Sequence, residues 1–134
     1  MMEPIAIELP FPPSNHEVFR RHKGKHLSER YRKWRDEAGW MLKQQRPEKV
    51  IGPVAVAIEL VAPDRKRRDA DNFTKGALDL LVAHGVITGD DGSVVREVTA
   101  RWRESGPPCM VIVAPANTWE SIGQAAARVV ASLV

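Results

Sequence analysis

The sequence predicts an α+β fold in a single domain, with a small mixed β-sheet of about four strands packed by two or three helices. Three observations lead to this class. Short apolar segments with a period of two residues recur along the chain, longer segments carry apolar residues at helical spacing, and proline- or glycine-containing turns separate them. A length of 134 residues, with 43% hydrophobic and 28% charged side chains, fits one globular domain that needs no disulfide.

Four segments have the pattern of a β-strand. The first is residues 5–9, which alternate between apolar and other side chains before a proline-rich stop. The second, residues 54–61, is apolar at nearly every position, so we expect it to be buried on one face and partly on the other. Residues 94–102 and 110–114 are separated by a turn at 106–108, which predicts a hairpin between the last two strands.

Three segments have apolar residues at helical spacing. The first spans residues 28–45, beginning at a serine N-cap, and the second spans residues 72–85, from an asparagine N-cap to a glycine stop. The third is predicted for residues 118–133, after a threonine cap. Residues 16–26 have little apolar content, so we expect a loop or an arm there.

The composition argues against several classes of protein. The single cysteine, Cys109, lies in an apolar run and cannot form an internal disulfide, so we expect a buried small hydrophobic residue. The four histidines are not spaced with that cysteine as zinc ligands. No targeting segment opens the chain and no apolar run reaches the roughly 20 residues that span a bilayer. We therefore expect a cytoplasmic protein with no membrane partner.

The charged segment between the second strand and the second helix carries the strongest functional signal. Asp69 and Asp71 are two residues apart, so in an extended segment both carboxylates point to one side. Such a pair repels itself unless a cation lies between, and Mg²⁺ binds carboxylates together with water and substrate phosphate. Lys75 could neutralise charge on a phosphate, and Asp90 or Asp91 offers a third carboxylate.

These aspartates also have simpler explanations. Charge clusters of this length are common on solvated surfaces, where acids and bases pair with one another. The later pair stands in Gly89-Asp90-Asp91-Gly92, which is a turn sequence in its own right. An acidic doublet alone is therefore a weak motif.

Two basic clusters flank the carboxylates. The first, between Arg20 and Arg35, holds eight lysines and arginines against one glutamate, and the second precedes Asp69 directly. A local excess of this size is typical of proteins that bind a phosphate backbone, whereas the alternative is a solvated helix face with a flexible basic loop. The residues that we expect to contact nucleic acid are Arg20, Arg21, Lys23, Lys25, Arg65, Lys66, Arg67, Arg68 and Asn72.

The order of these motifs resembles the RusA family of Holliday junction resolvases. The matching motifs are Leu9-Pro10-Phe11-Pro12-Pro13-Ser14-Asn15, the basic segment after it, Pro63-Asp64-Arg65-Lys66-Arg67-Arg68-Asp69-Ala70-Asp71-Asn72 with Lys75, and Gly85-Val86 followed by Asp90-Asp91 and Val94-Val95. The resemblance extends from about Ile5 to Trp102, which makes it far more specific than an acidic doublet. We treat residues 1–134 as one RusA-like endonuclease domain, in which the helix at about 115–134 has no place in the family pattern.

The resemblance implies a homodimeric, Mg²⁺-dependent endonuclease of bacteria and their phages that cuts four-way junction DNA, with no small-molecule cofactor. By that resemblance Asp69, Asp71 and Asp91 are the metal ligands. The same three residues and Lys75 are the catalytic residues. Asp91 is the third ligand when the valines after it are aligned, whereas one extra residue upstream leaves Asp90 as the alternative.

The function expected from residues and resemblance together is the resolution of Holliday junctions by paired symmetric nicks, in DNA recombination and repair. A metal held by carboxylates lowers the pKa of a bound water and polarises the phosphodiester, while Lys75 stabilises developing negative charge. Two alternatives stay open. One is a non-catalytic junction or duplex DNA-binding protein, in which the aspartates only pair with the arginines. The other is a metal-dependent nuclease of another branched DNA.

Overall fold

A four-stranded β-sheet is the frame on which the helices are placed. The computed structural model describes residues 3–19, 21–22, 26–116 and 122–132. Along the chain the elements are β1 (Ile5–Leu9), α1 (Asn15–Phe19), β2 (Arg21–His22), β3 (His26–Leu27), α2 (Glu29–Gln45), β4 (Val54–Val61), a 3₁₀ helix (Ala70–Phe73), α3 (Lys75–Ala83), β5 (Val95–Arg103), β6 (Cys109–Pro115) and α4 (Ile122–Ser132).

The sheet is mixed, with the strand order β1-β6-β4-β5. β6 runs antiparallel to both β1 and β4, whereas β5 runs parallel to β4. Seven of the eight residues of β4 are buried, because this strand has neighbours on both edges and packed side chains on both faces. These observations confirm the predicted α+β class and the mixed sheet of four strands.

One face of the sheet packs against α2 and α3 and holds the larger hydrophobic core. Ile58 and Leu60 of β4 belong to this core together with Trp34 of α2 and Leu80 of α3. The indole nitrogen of Trp34 also donates a hydrogen bond to the carbonyl of Pro10, at 3.0 Å. The bond fixes the loop after β1 against α2, and this loop leads directly to α1.

The opposite face of the sheet carries α4 and an ion pair whose carboxylate is buried. Ala57 and Ile112 of the sheet form a smaller hydrophobic cluster with Ala126 of α4. On the same side of β4, Glu59 is only 2% exposed, and its carboxylate accepts hydrogen bonds at 2.8 and 2.9 Å from Nε of Arg101, the opposite residue on β5. A buried carboxylate without a partner is strongly destabilising, so Arg101 stabilises the β4–β5 pairing.

The predicted hairpin between the last two strands is wrong, because β4 lies between β5 and β6. The turn at 106–108 reverses the chain, but it does not decide which strands pair. β4 is buried at seven of its eight positions and therefore takes the central position, whereas β5 has only half-buried and exposed residues, as an edge strand does.

The expected loop at residues 16–26 is also corrected in part. The chain forms the short helix α1 there, followed by the two-stranded ladder of β2 and β3. The Ser14 hydroxyl accepts a hydrogen bond from the Glu17 amide, and Val18 is buried in the main core. This capped, partly apolar turn is the reason that the segment is helical.

Two other expectations can be compared with the structure. Cys109 is buried as predicted, and burial raises the pKa of its thiol to about 12, so the thiol stays protonated at neutral pH. Within the described ranges, no helix has the length and apolarity that crossing a membrane requires. The predicted cap at Thr118 and the end of the last helix at Leu133 lie outside the described residues, whereas the body of that helix is present as α4.

Arg101→Met should lower the free energy of unfolding by about 2–3 kcal/mol, because it leaves the Glu59 carboxylate buried without its partner. This is below the full cost of an unpaired buried charge, since the Arg101 side chain is half-exposed and screened by solvent. Urea unfolding measures the change. Arg103→Met, which removes the same charge two residues along β5, is the control. Equal stability of the two variants would contradict the assigned role of the ion pair, and replacing Glu59 by Met as well should restore most of the loss.

Candidate active site

The two aspartates predicted as metal ligands lie in the exposed segment that joins β4 to α3. Asp69 has an extended backbone, with φ −97° and ψ 129°. The 3₁₀ helix begins immediately after it, and the Asn72 amide donates to the Asp69 carbonyl at 3.0 Å. The expected extended stretch through both aspartates therefore ends at Asp69, and the same-side argument from strand geometry does not apply to Asp71.

Neither carboxylate has a partner among the described residues. Asp69 and Asp71 are exposed, and neither side chain forms a hydrogen bond or ion pair with the described chain. Unpaired surface carboxylates have their oxygens available for a cation, and oxygen ligands with free coordination space for water and phosphate suit Mg²⁺. The donor chemistry of this pair thus fits the expected metal.

Asn15 connects this segment to the loop after β1. Its side-chain Oδ1 accepts hydrogen bonds from the amides of Thr74, at 3.1 Å, and Lys75, at 2.9 Å, and its Nδ2 donates to the Asp71 carbonyl at 3.1 Å. The first amides of a helix have no partner within the helix, and the Thr74 side chain makes no capping bond. Asn15 therefore caps α3 from 60 residues away.

The predicted start of this helix is corrected by the same contacts. The sequence predicted an N-cap at Asn72, but α3 begins at Lys75, with Thr74 in the cap position. Asn72 instead closes the 3₁₀ turn through its backbone amide. The capping role of Asn15 was not predicted, although this residue ends the Leu9–Asn15 motif, because its capping partners are remote in sequence.

An aromatic cluster packs against the 3₁₀ helix through Phe73. Phe73 is buried, and its ring centroid lies 5.2 Å from that of Phe11 and 6.1 Å from that of Trp102 on β5. The Arg68 guanidinium lies over the Phe11 ring at 5.7 Å. Apolar burial therefore holds the segment that contains the aspartates, although the aspartates themselves face solvent.

Lys75 is held between two carboxylates. Its Nζ lies 2.9 Å from Oδ2 of Asp90 and 3.0 Å from Oδ1 of Asp79, one helical turn further along α3. The hydrogen bond that Lys75 donates to Asp90, followed by the one to Asp79, raises the pKa of Lys75, and Lys75 in turn lowers the pKa of Asp90. The ammonium is therefore charged and oriented at neutral pH. Asp79 was not singled out from the sequence, although its i+4 spacing from Lys75 is the signal that would have indicated it.

Asp91 has a different environment from its neighbour. Its Oδ1 accepts a hydrogen bond from the Ser93 amide at 2.8 Å and also contacts the Ser93 hydroxyl, and these bonds lower the pKa of the Asp91 carboxyl. Its carbonyl accepts from the amides of Val94 and Val95. Asp91 therefore has the contacts of a turn residue, and the structure brings Asp90, not Asp91, to Lys75.

The described residues contain no group of three or more His, Cys, Asp or Glu side chains that is arranged to hold a metal ion. Asp69, Asp71 and Asp91 are thus not assembled into a compact three-carboxylate centre. Their role as a joint ligand set remains a prediction from the sequence, as does the choice between Asp90 and Asp91.

The basic cluster before Asp69 contains three solvent-exposed cations and one that is paired with an aspartate. Arg65, Lys66 and Arg67 are exposed. Arg68 instead forms a bidentate pair with Asp64, with nitrogen–oxygen distances of 2.6 and 3.0 Å, which strongly lowers the pKa of Asp64. The first three residues present charge to solvent, whereas the charge of Arg68 is largely used within the loop.

The remaining residues predicted to contact nucleic acid can be placed only in part. Arg20, Lys23 and Lys25 lie outside the described residues. Arg21 lies in β2, but its side chain is outside what the structure describes. Asn72 is exposed beside the two aspartates. These five residues keep their predicted role as an expectation.

Comparison with known proteins gives consistent matches over this part of the chain. The family model described as Endodeoxyribonuclease RusA matches residues 10–114. Proteins named crossover junction endodeoxyribonuclease RusA from Escherichia coli strain K12 and Shigella sonnei strain Ss046 are each 38% identical over 96 residues, which is 70% of this chain and 79% of the relative. The protein of that name from Enterobacteria phage 82 is 36% identical over the same shares. The family match includes every candidate catalytic residue and ends before α4.

Asn15→Ala should lower the free energy of unfolding by about 1–2 kcal/mol, because it leaves the first amides of α3 without an acceptor. Hydrogen exchange at the Thr74 and Lys75 amides should become faster. Ser28→Ala, which removes the cap that the Tyr31 amide uses on α2, is the matched control. It should cost a similar free energy and leave exchange at Thr74 and Lys75 unaltered. Unchanged exchange at those two amides in Asn15→Ala would show that Asn15 does not cap α3.

Proposed function

The chain belongs to the RusA family of endodeoxyribonucleases, and on that premise we propose that it is a Mg²⁺-dependent endonuclease that resolves four-way DNA junctions by paired nicks. One observation carries the proposal. Two exposed aspartates, without side-chain partners among the described residues, lie four and six residues before Lys75, a charged and oriented lysine that begins α3. All of these residues lie in the segment that the family model matches.

Mg²⁺ would be held by Asp69, Asp71 and an aspartate of the 90–91 pair, and would supply a bound water of lowered pKa and a counter-charge for the scissile phosphate. The role of Lys75 follows from its contacts. Its ammonium is oriented by Asp79 and Asp90, so it can donate hydrogen bonds to a phosphate oxygen as negative charge develops there. Asn15 positions the start of α3 and hence the backbone from which Lys75 extends.

Substrate binding is assigned to the exposed cations beside the aspartates. Arg65, Lys66 and Arg67 lie two to four residues before Asp69 and face solvent. Contacts from arginine and lysine to phosphates position a nucleic acid without reading its bases. We therefore expect these three residues to select the shape of the junction rather than its sequence.

Paired cutting requires two active sites. A four-way junction has approximate two-fold symmetry, so a two-fold homodimer would place one catalytic loop on each of two opposed strands. A single copy would leave one nick. The homodimer is therefore part of the proposed function.

A non-catalytic DNA-binding protein is the less favoured reading. It requires the aspartates of the loop to serve only as partners of the arginines. Asp64 does so with Arg68, but Asp69 and Asp71 have no basic partner among the described residues. The nuclease reading gives these two carboxylates a role that the binding reading does not.

Asp69→Asn should reduce the rate of Mg²⁺-dependent cleavage of a labelled four-way junction by at least about 10²–10³-fold. This is the loss of rate typical of an enzyme that loses one electrostatic contact to the transition state. Junction affinity measured by gel shift in EDTA should be equal or higher, because a negative charge beside the phosphate is removed. Glu48→Gln, an exposed acid outside the loop, is the control and should cut at the normal rate. Unimpaired cleavage by Asp69→Asn would refute the role of this residue, and loss of both cleavage and binding would indicate a folding defect.

Arg67→Gln should reduce the slope of log affinity against log salt by about 0.9 for junction DNA, because one phosphate contact and its released counterion are lost. The measurement is a titration between about 50 and 200 mM salt. Arg46→Gln, an exposed arginine at the far end of α2, is the control and should keep the slope of the unmodified chain. A junction affinity that does not vary with salt would rule out phosphate-based binding.

A further inference from the structure

A cleft of about 390 Å³ lies between α2 and the C-terminal end of α3. Its lining includes Arg35, Trp40 and Lys43 from α2 and His84 from the end of α3. α3 begins at Lys75, so the cleft is separated from that residue by the length of the helix, roughly 12 Å. The cleft is therefore distinct from the candidate active site but close enough to contact the same bound molecule.

Trp40 is the unusual residue of this cleft. Trp40 is 66% exposed, and in the described ranges the other exposed large hydrophobic residues are Ile51 and Val98. The Trp40 indole has no ring contact or hydrogen bond with the described chain. A large aromatic surface left in water beside a cleft is typical of a binding site rather than of a folding requirement.

The floor of the cleft depends on a glycine. Gly39 lies in the interior of α2, where glycine weakens a helix relative to alanine. A Cβ atom at this position would lie 2.9 Å from Nε2 of His84, so only glycine lets the imidazole lie in its present place. Burial, followed by the charge of Lys43, lowers the pKa of His84. The imidazole is therefore neutral at neutral pH and offers one donor and one acceptor.

The rim of the cleft has both signs of charge. Arg35 and Lys43 are exposed cations on the same side of α2, and the Arg35 guanidinium is oriented over the Tyr31 ring at 5.8 Å. Asp36 is the one carboxylate of the lining. An exposed indole, two cations, a neutral imidazole and a single carboxylate match a flat heterocycle with an attached phosphate. They fit a purely apolar ligand or a bare phosphate less well.

We propose that this cleft binds one unpaired nucleotide of a DNA strand, with its base stacked on Trp40 and its phosphate held by Arg35 or Lys43. The proposal rests on the proposed function in taking DNA as the ligand. Stacking on an aromatic side chain tolerates every base, because each base has a π-face. Asp36 and His84 also line the cleft, and both have groups that can hydrogen-bond the edge of a base. At a branch point, such a site would capture a base that has left its pair.

The test measures the binding of a fluorescent twelve-nucleotide thymidine strand and of a matched linear duplex, by anisotropy in EDTA. Trp40→Ala should reduce the ratio of strand affinity to duplex affinity by on the order of 10- to 100-fold, the range that base–aromatic stacking supplies. Trp40→Phe should recover most of this loss. Ile51→Ala, which removes another exposed apolar side chain, is the control and should leave the ratio unaltered.

A second variant tests the cleft without removing the indole. Gly39→Ala should displace the His84 ring and weaken strand binding, while it strengthens α2 as a helix. Reduced binding at unchanged or higher stability would therefore locate the site in the cleft. Strand affinity equal to that of the unmodified chain in both Trp40→Ala and Gly39→Ala would overturn the proposal.

Other occupants give different results. If thymidine monophosphate binds as tightly as the strand, the cleft takes free nucleotides and the DNA assignment is wrong. If Trp40→Ala changes the oligomeric state of the protein in solution, the cleft is a contact between copies of the chain, and the proposal is again overturned. Junction cleavage assayed in parallel separates the two proposals. If the protein cleaves junctions but Trp40→Ala does not alter strand binding, only the proposed nucleotide site is refuted. If strand binding depends on Trp40 but no junction is cleaved, only the proposed nuclease function is refuted.

Discussion

The hydrogen bonds of Asn15 are the constraint on which the candidate active site depends. The segment between β4 and α3 has one 3₁₀ turn as its only regular structure, so its own backbone does little to fix it. One asparagine side chain bonds the Asp71 carbonyl and the first amides of α3, and the contact of Phe73 with Phe11 adds apolar burial from the same loop after β1. Trp34 in turn holds that loop through the Pro10 carbonyl. The position of Lys75 is therefore determined by α2 and β1 as much as by its own helix.

The elements of the fold could be predicted from the sequence because periodicity reports which side chains are buried. Strand order could not be predicted in the same way, because periodicity contains no information about which strands pair. The turn at 106–108 was interpreted as a hairpin on local grounds, yet β4 separates the two strands that it joins. The continuous apolar character of β4 was the better guide, since only a central strand is buried on both faces. Glu59 is the exception in that strand, and its partner Arg101 lies 42 residues away.

The chemical types at the site were predictable, but their partnerships were not. Asp69, Asp71 and Lys75 could be identified because charged residues between a strand and a helix are conspicuous in a sequence. The capping role of Asn15 could not be predicted, because a cap supplied from 60 residues away leaves no local pattern. The later aspartate pair was ambiguous for a similar reason. Only the folded chain distinguishes Asp90, which contacts Lys75, from Asp91, whose side chain bonds Ser93 within its turn.

The charges around Lys75 give a physical reason to expect a divalent cation. A lysine at a helix N-terminus is on the electrostatically unfavourable side of the helix dipole, and here Asp79 and Asp90 compensate for it. The two negative charges of Asp79 and Asp90 already exceed the single positive charge of Lys75. Asp71, four residues before Lys75, adds another negative charge. The carboxylates repel an approaching DNA phosphate, although Arg65, Lys66 and Arg67 of the same loop attract it, so a cation between carboxylates and phosphate favours the approach. The excess of negative charge beside Lys75 supports the proposed dependence on Mg²⁺.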